Sequence, residues 1–444
     1  MGATILTRPD QTRPDQTRPD QTNYDLLYDK EFYGDTFYVN HFVDKKLTFR
    51  VIENGYILPF TPANEGGVFD STGNHVKGST ITNHYAFDPN THVSSEAGLR
   101  TLAESLNFNI SEAIHKHSTV VHIGVLIKTW GHFITDSMRF LWFLKSRDYL
   151  DNFSECPLTY FPSLGFQLKG NWQRILEILG INTSLLTPIT ELTKYDRIIV
   201  PDESFALTSS KNYYFTSEYV ECIDCIRNFA ATQSLSEHKK KIYFSYSKYK
   251  QNMSTGEDKL EKYFASKGYE IIYPEKLPID EQLNILINCS NFAATIGSCS
   301  HNALFLKDDT EIILIPRANY LNDYQLAIDQ VHPQNIHYID CSFSIFAGKS
   351  PWGGPFLYFI SSNLRKFFND PDTESIICSS DFWKYVRLSR GFSISSAFGR
   401  AAHGDNPDVY KYYSTVAAEY FGKLFSMSWP YKLRQWLKEL LKRK

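Results

Sequence analysis

Residues 241–316 alternate short β-rich runs with helical runs, and no other feature restricts the possible folds of this chain as strongly. Lys241-Ile242-Tyr243-Phe244-Ser245 reads as a strand, 257–267 as a helix closed by Gly268, and Tyr269-Glu270-Ile271-Ile272-Tyr273 as a second strand. A helix over 279–288 leads into a strand over 291–297, another helix starts at Asn302, and a strand over 311–316 ends the series. Strands and helices at this spacing build right-handed βαβ units around a parallel sheet. Such sheets place function at the carboxyl ends of their strands.

The first half carries a looser version of the same pattern. Between 23 and 89, strand-like runs such as Phe37-Tyr38-Val39 and Tyr56-Ile57-Leu58 are broken by Asn54-Gly55 and Gly66-Gly67. Residues 119–126 form a nearly continuous apolar run, as expected of a strand buried on both faces. A helix is expected over 134–150, with Phe133, Phe140, Phe143 and Leu144 on its apolar stripe. Strands at 158–161 and 197–200 flank a helix over 171–179 that ends at Gly180, and a long helix over 217–229 bridges to the second half. The charged run Glu237-His238-Lys239-Lys240-Lys241 marks the boundary. The expected fold is therefore α/β, with two doubly wound domains, 23–236 and 237–345, facing a cleft.

The two ends differ from this body. Thr7-Arg8-Pro9-Asp10-Gln11 recurs at 12–16 and 17–21, has nothing apolar and has a Pro in every unit, so 1–22 is expected to be disordered. The tandem bases ACCAG translate as Thr-Arg-Pro-Asp-Gln, because a five-base unit passes through all three frames before repeating. A gene with such a tract would slip in frame and switch expression, a habit of genes that decorate bacterial surfaces. Residues 346–428 are aromatic and mixed in pattern, and are expected to pack back on the cleft. In 429–444, Trp429, Leu433, Trp436, Leu437, Leu440 and Leu441 share one helical face, while Lys432, Arg434, Lys438, Lys442, Arg443 and Lys444 line the rest. Such a helix either lies in a membrane interface or packs on the domain behind a solvated basic tail.

The composition excludes several classes. A formal charge of −3 argues against a general nucleic-acid binder. The seven cysteines lack metal-ligand spacing, and Cys222 and Cys225 have no second pair, so they read as ordinary helix residues. That unpatterned set suits a reducing compartment. The chain opens on Arg, Pro and Asp rather than an apolar run, so no secretory signal is expected, and no stretch approaches the ~20 apolar residues of a spanning helix. The expected location is the cytoplasm, peripheral on the inner face of the cytoplasmic membrane. Asp308-Asp309 and Asp370-Pro371-Asp372 resemble metal-holding carboxylate pairs, but neither follows a buried strand, so both read as surface turns and no metal is expected.

Two short elements carry possible chemistry. Gly131-His132-Phe133-Ile134-Thr135-Asp136 follows the buried strand, and His132 and Asp136, four apart, share a helical face. Either can serve as a base toward a hydroxyl group, or Asp136 can orient His132. Arg139, one turn on, can pair with Asp136 or with a phosphate. The plainer alternative makes His132 a satisfied core residue and Asp136–Arg139 a helix salt bridge. The second element, Gly297-Ser298-Cys299-Ser300-His301-Asn302, joins a buried strand to a helix; its small residues and free N–H groups suit a diphosphate, though Ser-Asn turns also simply cap helices. Ser298, Ser300, His301 and Asn302 can add hydrogen bonds, and Lys248 and Arg317, each following a strand, can add charge.

Taken in order, Lys-Ile-Tyr-Phe-Ser, the helix headed by Glu257, Lys-Gly-Tyr-Glu-Ile-Ile, Glu281-Gln282, Ile-Gly-Ser-Cys-Ser-His-Asn-Ala-Leu-Phe and Glu-Ile-Ile-Leu-Ile-Pro resemble the C-terminal half of glycosyltransferase family 61. Gly-His-Phe-x-x-Asp is similar to that family's His-aromatic-x-x-acid motif, and the resemblance covers roughly 120–320. It implies a GT-B-like fold of two Rossmann-like domains, and an inverting, metal-independent glycosyltransferase. The implied donor is a nucleotide-sugar, often a UDP-sugar; the acceptor is a glycan or glycolipid such as lipopolysaccharide, lipooligosaccharide or capsule. The implied catalytic residues are Asp136 and His132, and the implied donor-binding residues are Arg139, Ser245, Lys248, Gly297, Ser298, Ser300, His301, Asn302 and Arg317. The sequence departs from the family in three places: Lys248 stands near a usual Arg, the Gly-rich loop is shortened, and Arg139 sits one position early. A different sugar-nucleotide enzyme, such as an epimerase, and a non-catalytic subunit of a glycan assembly complex are the alternatives.

Overall fold

The computed structural model describes residues 23–27, 39–59, 66–76, 79, 110–163, 165–207, 213–233, 239–249, 254–317, 323–343, 356–372 and 374–389. The repeat over 7–21, the helix expected over 429–444 and much of 346–428 lie outside the described residues. The first strands in chain order are β1 (Asn23–Leu27), β2 (Phe49–Glu53), β3 (Tyr56–Leu58), β4 (Gly67–Phe69), β5 (Ile114–Leu126), β6 (Leu158–Pro162), β7 (Leu186–Pro188), β8 (Thr193–Pro201), β9 (Phe205–Leu207) and β10 (Tyr213–Phe215). The remainder are β11 (Lys240–Phe244), β12 (Ser254–Thr255), β13 (Tyr269–Ile272), β14 (Cys289–Thr295), β15 (Glu311–Ile315), β16 (Asn335–Ile339), β17 (Ser342–Phe343) and β18 (Phe356–Tyr358).

The alternating second half folds as its spacing predicts. β13, β11, β14, β15 and β16 lie side by side in that order, all parallel. The helices Glu257–Ser266 and Ile279–Ile287 make the crossovers around β13. The strand order reverses between β11 and β14, so a ligand crevice is expected beyond their carboxyl ends. β1 completes this sheet by pairing in parallel with β16, although the strands next in sequence belong to the other sheet. The chain thus crosses the boundary that the charged run around 237 suggested.

The first sheet departs from a doubly wound pattern. β8, β5, β6 and β7 are parallel, but β2 and β3 run antiparallel along the outer edge of β8, and β4 pairs with β3. It is a mixed sheet. Asn54, with φ of 53°, makes the break between β2 and β3. At the centre, β5 has a run of seven buried residues from Val120 to Leu126, because both of its faces are covered.

The two sheets share one core. A single cluster of buried side chains runs from Val121 and Phe140 through Tyr219, Val220, Ile223 and Ile226 to Phe292, Leu304 and Ile312. The helix Ser217–Gln233, expected from the sequence as a long helix, supplies the middle of that path. Among the described residues, no helix is long and apolar enough to cross a membrane.

Candidate active site

After β5 the chain turns straight into helical structure whose period changes as it goes. Trp130–His132 is α-helical, Phe133–Ser137 is π-helical and Met138–Lys145 is a 3-10 helix; a separate helix, Arg147–Asn152, follows. The single helix expected over 134–150 is thus replaced by an earlier, mixed one. The widened turn is where His132 and Asp136 sit, and π-helical turns of this kind are frequent at functional sites. Every residue of Phe133–Ser137 is buried, so packing rather than local propensity imposes this geometry.

His132 Nδ1 lies 2.6 Å from Asp136 Oδ2, as the four-residue spacing predicts. Arg139 hydrogen-bonds the other carboxylate oxygen and reaches Glu203 Oε1 at 2.5 Å, and its Nε donates to the Asp136 carbonyl oxygen at 2.9 Å. Tyr324 OH donates to the Asp136 carboxylate, 2.9 Å from Oδ1 and 2.8 Å from Oδ2. Burial works against the Asp136 carboxylate, but Arg139, His132 and Tyr324 outweigh it and hold its pKa below the ordinary value. With that carboxylate ionised, the proton of the imidazole belongs on Nδ1, and Nε2 is left with its lone pair. The His132 side chain is 37% exposed while that of Asp136 is 2% exposed, so the histidine alone reaches solvent.

Arg139 therefore does not fit the expected donor contact. It is fully buried and spends its guanidinium on two carboxylates and a carbonyl, so its role is to hold Asp136 in place. Burial opposes the charge of Arg139, yet Glu203 and Asp136 push its pKa up further still.

The second element approaches from the other half. Trp130 Nε1 donates to Asn302 Oδ1 at 3.0 Å, and Asn302 Nδ2 donates to the carbonyls of Ser298 and Cys299 at 3.2 and 3.0 Å. The His301 ring lies so close to Gly131 that a Cβ there would meet Nδ1 at 2.6 Å. Tyr324 stacks on the same ring at 6.4 Å and meets His132 edge-on at 5.4 Å. The His132 turn and the loop over 297–302 thus form one site. Both ring nitrogens of His301 are buried with no side-chain hydrogen-bond partner among the described residues, and burial lowers its pKa to about 3 although the Gly131 backbone pulls the other way, so the ring is neutral.

The helix expected from Asn302 is instead a six-residue 3-10 helix, Ser300–Phe305, too short for a substantial dipole. Charge comes from Arg317. Its side chain is buried, and among the described residues its hydrogen bonds go to Thr295 Oγ1, from Nη2 at 3.0 Å and from Nε at 3.3 Å. No carboxylate among the described residues lies within ion-pair distance of it. The guanidinium sits over the Tyr246 ring at 4.4 Å and against Gly297, whose φ of 139° and lack of a side chain leave it room: a Cβ there would meet Nη1 at 2.9 Å. Glu257 acts on this guanidinium only at longer range, and a buried cation with no carboxylate in direct contact is costly unless a ligand supplies the charge.

The other expected donor contacts divide. Ser298 flanks the site, its Oγ 3.2 Å from the position of a Gly131 Cβ. Ser300 turns inward: Oγ accepts from Gly297 N–H at 2.9 Å and hydrogen-bonds Gln325, which bonds Asp329. Ser245 is buried and donates to Glu261 at 2.6 Å, so it shapes the loop after β11. Lys248 is exposed on that loop, 5.7 Å over the Tyr273 ring. Tyr324, Trp130, Glu203 and Glu257 were not anticipated. Glu257 Oε1 accepts from Tyr246 N–H at 3.0 Å, while Oε2 is buried without a partner. No local pattern marks Tyr324 or Glu203, because each reaches the site only through tertiary folding.

Residues 130–313, the segment that holds both elements, match the family model described as Glycosyltransferase 61. A comparison with curated proteins found no match.

Proposed function

Since residues 130–313 match the glycosyltransferase 61 family model, we propose that this chain is an inverting, GT-B-like glycosyltransferase that uses a nucleotide-sugar, in the first instance a UDP-sugar. The observation that supports the reading is Arg317: a buried guanidinium with no carboxylate in ion-pair contact among the described residues, at the carboxyl end of β15 and against Gly297. A diphosphate is the anion that suits it, with Lys248 at the rim and Ser298 and Asn302 along the loop. His301, neutral and without a side-chain partner among the described residues, is placed to donate or accept toward the donor.

The acceptor hydroxyl is taken to approach from the His132 side. Its oxygen forms a bond to the anomeric carbon as the bond from that carbon to the diphosphate oxygen breaks. The bonding electron pair leaves with the diphosphate, where Arg317 and Lys248 stabilise it, and the hydroxyl proton passes to His132 Nε2. Attack opposite the leaving group inverts configuration. Asp136 orients the histidine and stabilises the imidazolium, and Arg139 and Tyr324 hold Asp136. The chemistry needs no metal if the guanidinium and the loop carry the leaving charge. The repeat over 7–21 and the basic residues of 429–444 favour a phase-variable enzyme at the cytoplasmic face of a bacterial membrane, building lipopolysaccharide, lipooligosaccharide or capsule.

The test is a nucleotide and nucleotide-sugar screen by thermal shift, followed by transfer to lipid-linked glycans and NMR assignment of the product anomer. Expected are stabilisation by one nucleotide class, an inverted product, and a donor KM raised at least about tenfold in Arg317→Ala. Absence of both nucleotide binding and transfer, or a retained anomer, overturns the proposal.

A further inference from the structure

At the amino-terminal end of β5, far from the His132 turn, three metal-ligating side chains converge. His115 and His117, two apart on the strand, project to the same side, and Asp196 reaches them from the neighbouring strand β8. His115 Nε2 lies 2.9 Å and His117 Nδ1 lies 3.3 Å from Asp196 Oδ1, and the three donor atoms all fall within 4.8 Å of one another. The imidazole rings stand 4.0 Å apart between centroids.

From these distances we propose that His115, His117 and Asp196 form a zinc site. Four donors around zinc at about 2.0–2.1 Å stand roughly 3.3 Å from one another, close to the spacing of both histidine nitrogens from the aspartate oxygen. Two imidazoles and one carboxylate are borderline donors that suit zinc over magnesium or calcium. Water completes the tetrahedron, because the site opens to solvent: the His117 side chain is 77% exposed. The register between β5 and β8 is irregular between Lys116 and Thr119, so the strands are least regularly paired beside the site. The ion clamps β5 to β8 there. Nine residue steps lead from His117 to Leu126, at most about 30 Å of strand before the bend at Gly124, so the ion sits at the opposite end of β5 from the His132 turn. Its role is to brace the strand that positions the active-site turn.

The experiment uses the full chain, stripped with EDTA and exchanged into chelator-free buffer, titrated with zinc sulfate by calorimetry and followed by thermal melts. The expected result is one equivalent bound at micromolar Kd or tighter and a raised melting temperature. His117→Ala and Asp196→Asn each weaken binding at least about tenfold, with zinc-free melting unchanged because both side chains are exposed. Cobalt substitution should give visible absorption without a thiolate charge-transfer band, which separates this site from the cysteines. Absence of saturable binding, unchanged affinity in His117→Ala, or a thiolate band overturns the proposal.

Discussion

Asp136 accepts hydrogen bonds from three residues at once, and that crowding bears on which group would be the base in the proposed reaction. An ionised carboxylate held by Arg139, Tyr324 and His132, with its pKa lowered, is a weak proton acceptor, whereas the partly exposed imidazole beside it is well placed. If the two act as a unit, Asp136→Asn and His132→Gln each lower kcat about 10²–10⁴-fold, leave donor affinity unchanged, and are no worse in combination. High residual activity in His132→Gln with none in Asp136→Asn would make the aspartate the base. A second residue carries a pH signature. Burial raises the pKa of Glu257 from 4.5 to about 7, against the opposing pull of Arg317. The folded state thus holds this proton more tightly than the unfolded chain. The associated stability is complete below about pH 4.5 and is lost as pH rises through 7. Glu257→Gln removes the titration. The variant should melt higher than the parent at pH 8, by a gain on the order of 1–3 kcal/mol, and nearly level with it at pH 4.5. Asp329, also raised to about 7, titrates in both proteins, so the difference isolates Glu257.

At the scale of elements, the turn over 130–137 shows what a sequence conceals. The four-residue step from His132 to Asp136 was legible and is realised as a 2.6 Å hydrogen bond. The change from α to π to 3-10 period was not, because it arises from burial of every residue in Phe133–Ser137. Likewise, Gly297-Ser298-Cys299-Ser300 was readable as a ligand loop, but the inward turn of Ser300 onto Gln325 depends on a helix 25 residues away. Gly131 joins the two elements, and its importance is steric: a Cβ would meet His301 Nδ1 at 2.6 Å, Cε1 at 3.0 Å and Ser298 Oγ at 3.2 Å. Gly131→Ala must therefore push the loop away from the His132 turn, at a cost of about 1–3 kcal/mol. Denaturant unfolding should register that loss, and donor KM should rise as the loop moves. A variant with unchanged KM and stability would mean that the two elements meet without depending on each other.

The whole molecule is organised by crossings that no local pattern announces. βαβ spacing made the parallel sheet of β11, β13, β14 and β15 predictable, since each connection is short and of fixed hand, while their order is a finding of the structure. Nothing comparable marked β1, which starts the described chain yet pairs with β16, more than 300 residues later in sequence. Other contacts tie the same regions. His41 N–H donates to Gln330 Oε1 at 2.9 Å, and Gln330 Nε2 donates to the Val39 carbonyl at 2.8 Å. The amino-terminal segment is therefore part of the sheet that holds Arg317, and truncation should show a sharp threshold. Removal of 1–22 takes away only the repeat and its flanks, and melting temperature and transfer should stay near those of the full chain. Extending the deletion through Leu27 leaves the backbone edge of β16 unpaired, which invites association with other chains as well as loss of stability. The longer truncation should melt several degrees lower and aggregate in light scattering at concentrations where the shorter one is monodisperse. Equal behaviour of the two truncations would mean that the sheet closes at β16 and that β1 is dispensable.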